Sequence, residues 1–260
     1  MLARAALFFS ILLCAQGVSA TERRLTYSYE SGVLASGSKE LELWLTPRFG
    51  REQAYSRIDG RVELEAGVCS RLQTAGYLNL TSEAREGAGE ALAAGVSNEW
   101  KLKLLDPVAD LLGLSLYGEW GLSVAGLELE GKVILDKRIG PLLAALNLTL
   151  EHAWERQDGV RRRELALEQS AGLAYLVTER FGVGLEARHH LVYRSSEGFI
   201  GSALYAGPEI SYGGRAFWLA ISFLPQLFAM KSASHAAEAE PLELREHERF
   251  NARALVGFHL

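Results

Sequence analysis

Two adjacent histidines, His189 and His190, are the pair in this chain best placed to do chemistry. In an extended segment neighbouring side chains point to opposite faces. His190 then falls with Glu186 and Arg188, and His189 falls with the apolar residues on the other side. A histidine activates a serine only within hydrogen-bond reach of it, and no serine stands at a matching position on a neighbouring predicted segment. The pair is therefore read as structural, and no catalytic residues are assigned. A second concentration, His235, His247, Glu238, Glu240, Glu243, Glu246 and Glu248, offers imidazole and carboxylate groups that suit a divalent cation. Its spacing matches no known ligand pattern, so a solvated charged loop is the plainer reading and no metal is expected. Glycine-rich phosphate loops, paired-cysteine motifs and nucleotide fingerprints are absent. Neither a cofactor nor an enzymatic activity is expected.

A third set is larger and regularly spaced: Asp59, Arg61, Glu63, Glu65, Lys101, Lys103, Glu119, Glu128, Glu130, Lys132, Glu151, Glu168, Glu186, Arg188, His190, Glu209 and Arg253. Each alternates with apolar neighbours, so all fall on one face of their segments. Charges of both signs on one face allow two arrangements. They can line a water-filled, mildly cation-preferring passage. They can also pair across strands and block the interior, since buried charges are tolerated only when paired. The sequence leaves both open.

The elements that must position this set are extended ribbons. Ile58, Val62, Leu64, Ala66 and Val68 oppose Asp59, Arg61, Glu63 and Glu65; a short turn at Cys69-Ser-Arg71 then reverses the chain into a second ribbon, 72–80. The unit recurs: Leu41, Leu43 and Leu45 before it, then Trp100–Leu104, Leu112–Leu122, Leu127–Asp136, Leu146–Trp154, Leu165–Tyr175, Phe181–Arg194, about 201–212, Phe217–Phe223, and Phe250 to the end. That makes about twelve strands. Turns after the second, eighth and tenth are short, whereas 82–95 and 229–246 read as long polar loops; the short connection Ser123–Gly126 breaks this alternation.

Composition narrows the class. With 260 residues, 23% of them charged, and a mean hydropathy of +0.04, the chain is neither disordered nor a bundle of apolar helices. Beyond the first twenty residues no apolar run reaches the length of a helical span. The net charge is −5 and the basic residues are scattered, which excludes nucleic acid as a partner. Residues 1–20 read as a cleaved export signal, with Arg4, an apolar Ala5–Ala15 centre and a Val18-Ser19-Ala20 cleavage site. Its removal takes Cys14 and leaves Cys69 without an internal partner, so the fold must hold without a disulfide. Residues 21–38 are a periplasmic lead-in, an extra strand or a peptide tucked into a lumen; 39–260 form the domain.

Alternation alone does not say which face is inside. A closed twelve-strand cylinder with leucines inward would enclose a large apolar void, because about eight strands already give an interior that side chains fill. Turned inside out, lipid covers the leucines and the ionic face can be wet or paired. The expected fold is an all-β, antiparallel, up-and-down transmembrane barrel of the Gram-negative outer membrane, with short periplasmic turns and longer outer loops. Trp100, Trp120 and Trp154 fall at the predicted outer strand ends, where an interfacial girdle belongs. The final Val256-Gly-Phe-His-Leu260 is similar to the terminal strand read by the barrel-assembly machinery, with leucine in place of the usual phenylalanine. Outer-membrane lipid and lipopolysaccharide are the other expected partners.

Several stretches carry a resemblance: Gly37–Leu43, Glu63–Gln73, Gly207-Pro208, Phe217-Trp218, Leu224–Leu227 and His247–Phe250. They resemble a group of uncharacterised proteobacterial outer-membrane barrels and, more loosely, barrels assigned to transport in the MetA pathway of phenol degradation. The resemblance spans most of the mature chain, and its motifs are short strand–turn–strand pieces. It implies the fold and the cell outer membrane, and brings no catalytic residues. The function expected is a passive channel or transporter for small solutes of unspecified identity. The alternative is a closed barrel with a structural or surface-binding role through the 82–95 and 229–246 loops; the third, less favoured, is an outer-membrane hydrolase using the His189-His190 pair.

Overall fold

The computed structural model describes residues 22–87, 89–157, 160–233 and 240–260. The export-signal reading of residues 1–20 lies outside them, as do His235 and Glu238. Twelve strands follow one another: β1 Lys39–Phe49, β2 Tyr55–Cys69, β3 Leu72–Arg85, β4 Gly89–Leu105, β5 Gly113–Ser123, β6 Gly126–Ile139, β7 Leu142–Gln157, β8 Val160–Leu176, β9 Phe181–Arg194, β10 Gly198–Gly213, β11 Phe217–Lys231 and β12 Phe250–His259. Every strand pairs antiparallel with its sequence neighbours, and β1 closes on β12 (Leu43 opposite Val256), so the sheet has no free edge.

Period-two patterning orients the wall. Leu43, Leu45, Leu64, Leu80, Leu148 and Leu150 are exposed on the outside, while Glu40, Glu42, Glu63 and Glu99 on the alternate positions are buried. A soluble sheet would show the reverse. No helix among the described residues is long and apolar enough to cross a membrane, which says nothing of strands.

β1 begins and β12 ends at the same rim, the termini rim, with the turns 70–71, 106–112, 140–141, 177–180 and 214–216; the strand pairs β1–β2, β3–β4, β5–β6, β7–β8, β9–β10 and β11–β12 are joined at the opposite, far rim. The expected contrast between short turns and long loops therefore reduces to one long connection, between β11 and β12. The predicted loop at 82–95 is instead a hairpin, with Arg85 opposite Gly89 and the ladder continuous to Leu72–Leu102. Beyond the band of exposed leucines both faces of a strand can meet water. The alternation that marks a strand then vanishes, although the backbone ladder goes on. Gly87 and Gly89 supply the positive φ values (77° and 73°) of the reversal.

The three tryptophans expected at outer strand ends divide between the two rims. Trp120 and Trp154 stand opposite Leu129 and Leu127 near the far rim. Trp100 pairs with Thr74, two residues from the start of β3, which places it toward the termini rim. The direction of β4 is the reason: it descends from the far rim, so a residue late in it is near the bottom.

Candidate functional site: a strapped and half-lidded lumen

The charged set of alternating residues faces the lumen. Part of it is paired: Arg188 Nε to Glu168 at 2.6 Å, Lys132 Nζ to Glu130 at 3.0 Å, Arg61 Nη2 to Glu119 at 3.4 Å, and Asp59 between Arg48 (3.1 Å) and Arg57 (2.7 Å). Lys103 meets Asp106 at 3.4 Å at the termini rim. Arg253 lies 3.7 Å over the Tyr27 ring and donates from Nε to Thr46 Oγ1 at 3.0 Å. Acid exceeds base: neither oxygen of Glu63 or of Glu209 has a hydrogen-bond partner, and no cation lies within ion-pair distance of Glu128 or Glu151 among the described residues.

Residues 22–38 run through this interior as a strap. The strap starts at the termini rim, where Arg24 Nη1 donates to Arg180 O in the β8–β9 turn at 2.9 Å. It crosses the lumen, then returns past β5, where Ser115 Oγ donates to Ser31 O at 2.6 Å. It leaves beside β2 and continues into β1. The crossing is sewn to one carboxylate: Glu186 accepts from Thr26 N (2.9 Å), Thr26 Oγ1 (2.6 Å), Tyr27 N (3.0 Å) and Ser28 N (2.8 Å). Asn147 then takes Tyr29 in both senses, accepting from its N–H at 2.5 Å and donating to its carbonyl at 3.0 Å.

Apolar anchors alternate with these polar contacts. Leu25 packs on Leu143, Ala145 and Ala174; Tyr27 on Ala203, Tyr205 and Leu224; Tyr29 on Trp44, Tyr117, Ile134, Trp218 and Leu255. Each anchor is worth roughly 1.5–3 kcal/mol if fully buried. The strap was legible in the sequence only as one of three options. The missing signal is a set of wall positions where both faces are apolar: Leu142-Leu143, Phe217-Trp218 and Phe223-Leu224. One member of each pair is exposed or outward and the other is buried against the strap's side of the wall.

The far rim is covered on one side. Residues 240–249 fold inward over β9–β12 and β1, and Gln226 fixes them: its Nε2 donates to Glu243 O (3.0 Å) and Glu248 O (3.1 Å), and its Oε1 accepts from Glu243 N (2.9 Å). His247 Nδ1 lies 2.6 Å from Glu243 Oε2 and its Nε2 lies 3.1 Å from His190 Nδ1. Arg194 joins Glu246 (3.1 Å) to Glu164 (3.0 Å). The loop's charges are thus spent on docking, and among the described residues no three-ligand metal group forms there. A cavity of ≈ 420 Å³ opens between the lid and the 50–54 and 195–197 connections, lined by Arg51, Tyr55, Arg85, Glu197 and Glu246 among others. Across the lumen, on β3 and β6–β8, Thr81, Glu83, Glu128, Glu130, Glu151 and Glu164 stay half-exposed.

Burial alone would raise the Glu243 carboxyl, but His247 and the backbone N–H groups of Arg245 and Glu246 outweigh it and hold it below its ordinary range. Burial likewise opposes Glu246, and its pairing with Arg194 prevails. A depressed folded-state value means stabilisation that is full above the unfolded carboxyl pKa, about 4.3, and is lost as pH falls through the folded value. Limited proteolysis between 240 and 249 should therefore stay slow from neutral pH down to about 5 and accelerate below about 4. Equal cleavage rates across that range would refute a lid held by these carboxylates.

The histidine pair requires a correction. Ser202 Oγ on β10 lies 3.2 Å from His189 Nε2, so a serine does stand beside that histidine. The β9–β10 ladder runs in unbroken register from Tyr212–Phe181 to Gly201–Val192, with Leu204 opposite His189, so Ser202, two residues on, shares that face and sits diagonally beside the histidine; the sequence reading overlooked it. Ser202 is wholly buried, and among the described residues no hydrogen bond orients the second His189 nitrogen. Cys69 is free and exposed.

Solved structures with this fold include the COG4313 outer membrane channel from Pseudomonas putida F1 (TM-score 0.64, 10% identity, 88% of this chain and 98% of that one). The NanC porin follows at TM-score 0.54, with 12% identity over 85% of this chain and 100% of that one. The translocator domain of the autotransporter NalP from Neisseria meningitidis gives 0.53, with 10% identity over 99% and 97%. At these identities the likeness establishes the fold alone: a closed twelve-strand barrel of the outer-membrane type. No curated protein matches the sequence. Residues 17–260 match the family of unknown function DUF6662, and the chain belongs to that family.

Proposed function

We propose that the protein is a channel of the outer membrane for small polar solutes, with the strap as its closing element and no catalytic role. The observation that carries this reading is the division of the lumen. The β3 and β6–β8 wall is acidic and half-exposed and meets the lid only through the Glu164–Arg194–Glu246 bridge among the described residues, whereas the 22–38 segment runs through the termini-rim side of the lumen. A wall with acidic excess favours cations. The polar part of the strap's hold is concentrated on Glu186 and Asn147, contacts that water can replace, and three apolar anchors, Leu25, Tyr27 and Tyr29, supply the rest. The fold shared with a channel and a porin supports the reading. The surface-binding alternative loses one of its two loops, since 82–95 is a hairpin.

Planar-bilayer recording of the full chain and of a chain lacking 22–36 tests it. The full chain should give rare, small steps, and the shortened chain frequent steps with cation selectivity. Silence from both at any voltage would overturn the channel reading.

A further inference from the structure

Five glutamates meet inside the termini-rim half of the lumen: Glu40 and Glu42 of β1, Glu63 and Glu65 of β2, and Glu99 of β4. Glu40 stands directly opposite Glu65, and Glu42 directly opposite Glu63. Glu65 and Glu99 flank the same residue, Ala75 of β3. Like charges directly opposed across strands destabilise a sheet, and here the arrangement occurs twice in succession.

Donors reach only part of this cluster. Glu40 accepts from Trp218 Nε1 (2.7 Å) and contacts His259 Nδ1 (2.6 Å); Glu42 accepts from Trp44 Nε1 (2.8 Å), Glu65 from Gln73 Nε2 (2.9 Å), and one oxygen of Glu99 from the Tyr77 hydroxyl. Three oxygens receive no N–H or hydroxyl donor: both of Glu63 and Oε1 of Glu99, on side chains that are each 1% exposed, and the Glu63 carboxyl instead faces that of Glu65. Among the described residues no lysine or arginine nitrogen comes within 4.0 Å of any of the five. Arg23 and Lys101 act on them only from beyond contact.

The carboxylates converge. One carboxylate oxygen from each of Glu63, Glu65 and Glu99 lies within 4.8 Å of the others. Ligands on opposite sides of a calcium ion, each about 2.4 Å from it, are about 4.8 Å apart. The methyl of Ala75, between Glu65 and Glu99, leaves the space open that a longer side chain would take. We propose that Glu63, Glu65 and Glu99, with Glu42 beside them, form a binding site for a hard divalent cation, calcium in preference to magnesium. Three carboxylates, mono- or bidentate, suit the flexible six-to-eight oxygen shell of calcium better than the strict octahedron and retained waters of magnesium. A bound cation would tie β1, the strand that closes the barrel, to β2 and β4.

Terbium emission sensitised by Tyr77 reads the site directly in the folded, chelator-treated full chain. One saturable terbium site per chain is expected, displaced by calcium at lower concentration than by magnesium. Glu63→Gln and Glu99→Gln should each weaken it by about tenfold or more, and Glu151→Gln should leave it unchanged. Calcium should also raise the thermal unfolding midpoint of the native chain relative to chelator. Should Glu63→Gln fail to fold, Glu99→Gln and Ala75→Leu, which fills the space, test the same point. No saturable emission from the native protein, or unchanged affinity in Glu99→Gln and Ala75→Leu, would overturn the proposal. It is independent of conductance, so a silent barrel that binds calcium and a conducting one that does not are separable results.

Discussion

Glu186→Ala frees the strap. The substitution removes the acceptor of three backbone N–H groups and one hydroxyl in a buried crossing. Orphaned buried donors cost about 1–3 kcal/mol each, so the crossing loses on the order of 5 kcal/mol. The apolar anchors Leu25, Tyr27 and Tyr29 and the remaining clasps at Asn147, Ser115 and Arg180 then hold the segment without its strongest polar contact. The expected result is a barrel that remains folded, because its ladders do not involve Glu186's side chain, but whose strap is cut by trypsin at Arg23 or Arg24. Under voltage it should open far more often than the native chain. Glu186→Gln, which keeps one acceptor oxygen, should fall between. An alanine variant as resistant to trypsin as the native protein would show that the anchors suffice and that Glu186 is not the clasp.

The second large effect is expected at Gly67, where the strap leaves the lumen. A Cβ there would lie 2.1 Å from Ala35 O and 2.7 Å from Leu34 O, both backbone atoms that cannot swing aside. Gly67 also exchanges hydrogen bonds with this segment: its N–H donates to Ser38 O (3.0 Å) and its carbonyl accepts from Gly37 N (2.9 Å). Gly67→Ala should destabilise by about 1–3 kcal/mol or more, as overpacking does, and lower the thermal midpoint. Gly76→Ala makes a control, since nothing lies within 4 Å of a Cβ there. Equal midpoints for the two variants would mean that the strap shifts to accommodate the methyl at no cost.

How much of this was legible follows from what alternation encodes. A ribbon such as Ile58–Val68 states its two faces and, once barrel closure is argued, which of them meets lipid. The ionic wall from Asp59 to Arg253 was readable for that reason. Alternation is silent where both faces are wet, which hid the β3–β4 hairpin at Arg85–Gly89. It does not give the pairing of one strand with the next, which sets Ser202 diagonally beside His189. It also cannot show what fills a lumen. The paired apolar positions around Leu143, Trp218 and Leu224 carried that information, but they mean something only beside a peptide whose place is known. The convergence of Glu63, Glu65 and Glu99 needs the strand order and the exact register across Ala75.

The strap has a consequence for how the molecule comes to be made. Its clasps lie on β5, β7 and β9, and Arg253 of β12 donates to Thr26 O at 3.4 Å, so they are synthesised long after the strap itself and are separated from it by up to 227 positions along the chain. Contacts this distant form late, and no wall exists to receive the peptide until the first and last strands have met. Docking of the strap is therefore complete only when the last strand has joined the first, so the closing of the wall and the filling of its interior depend on the same final pairing.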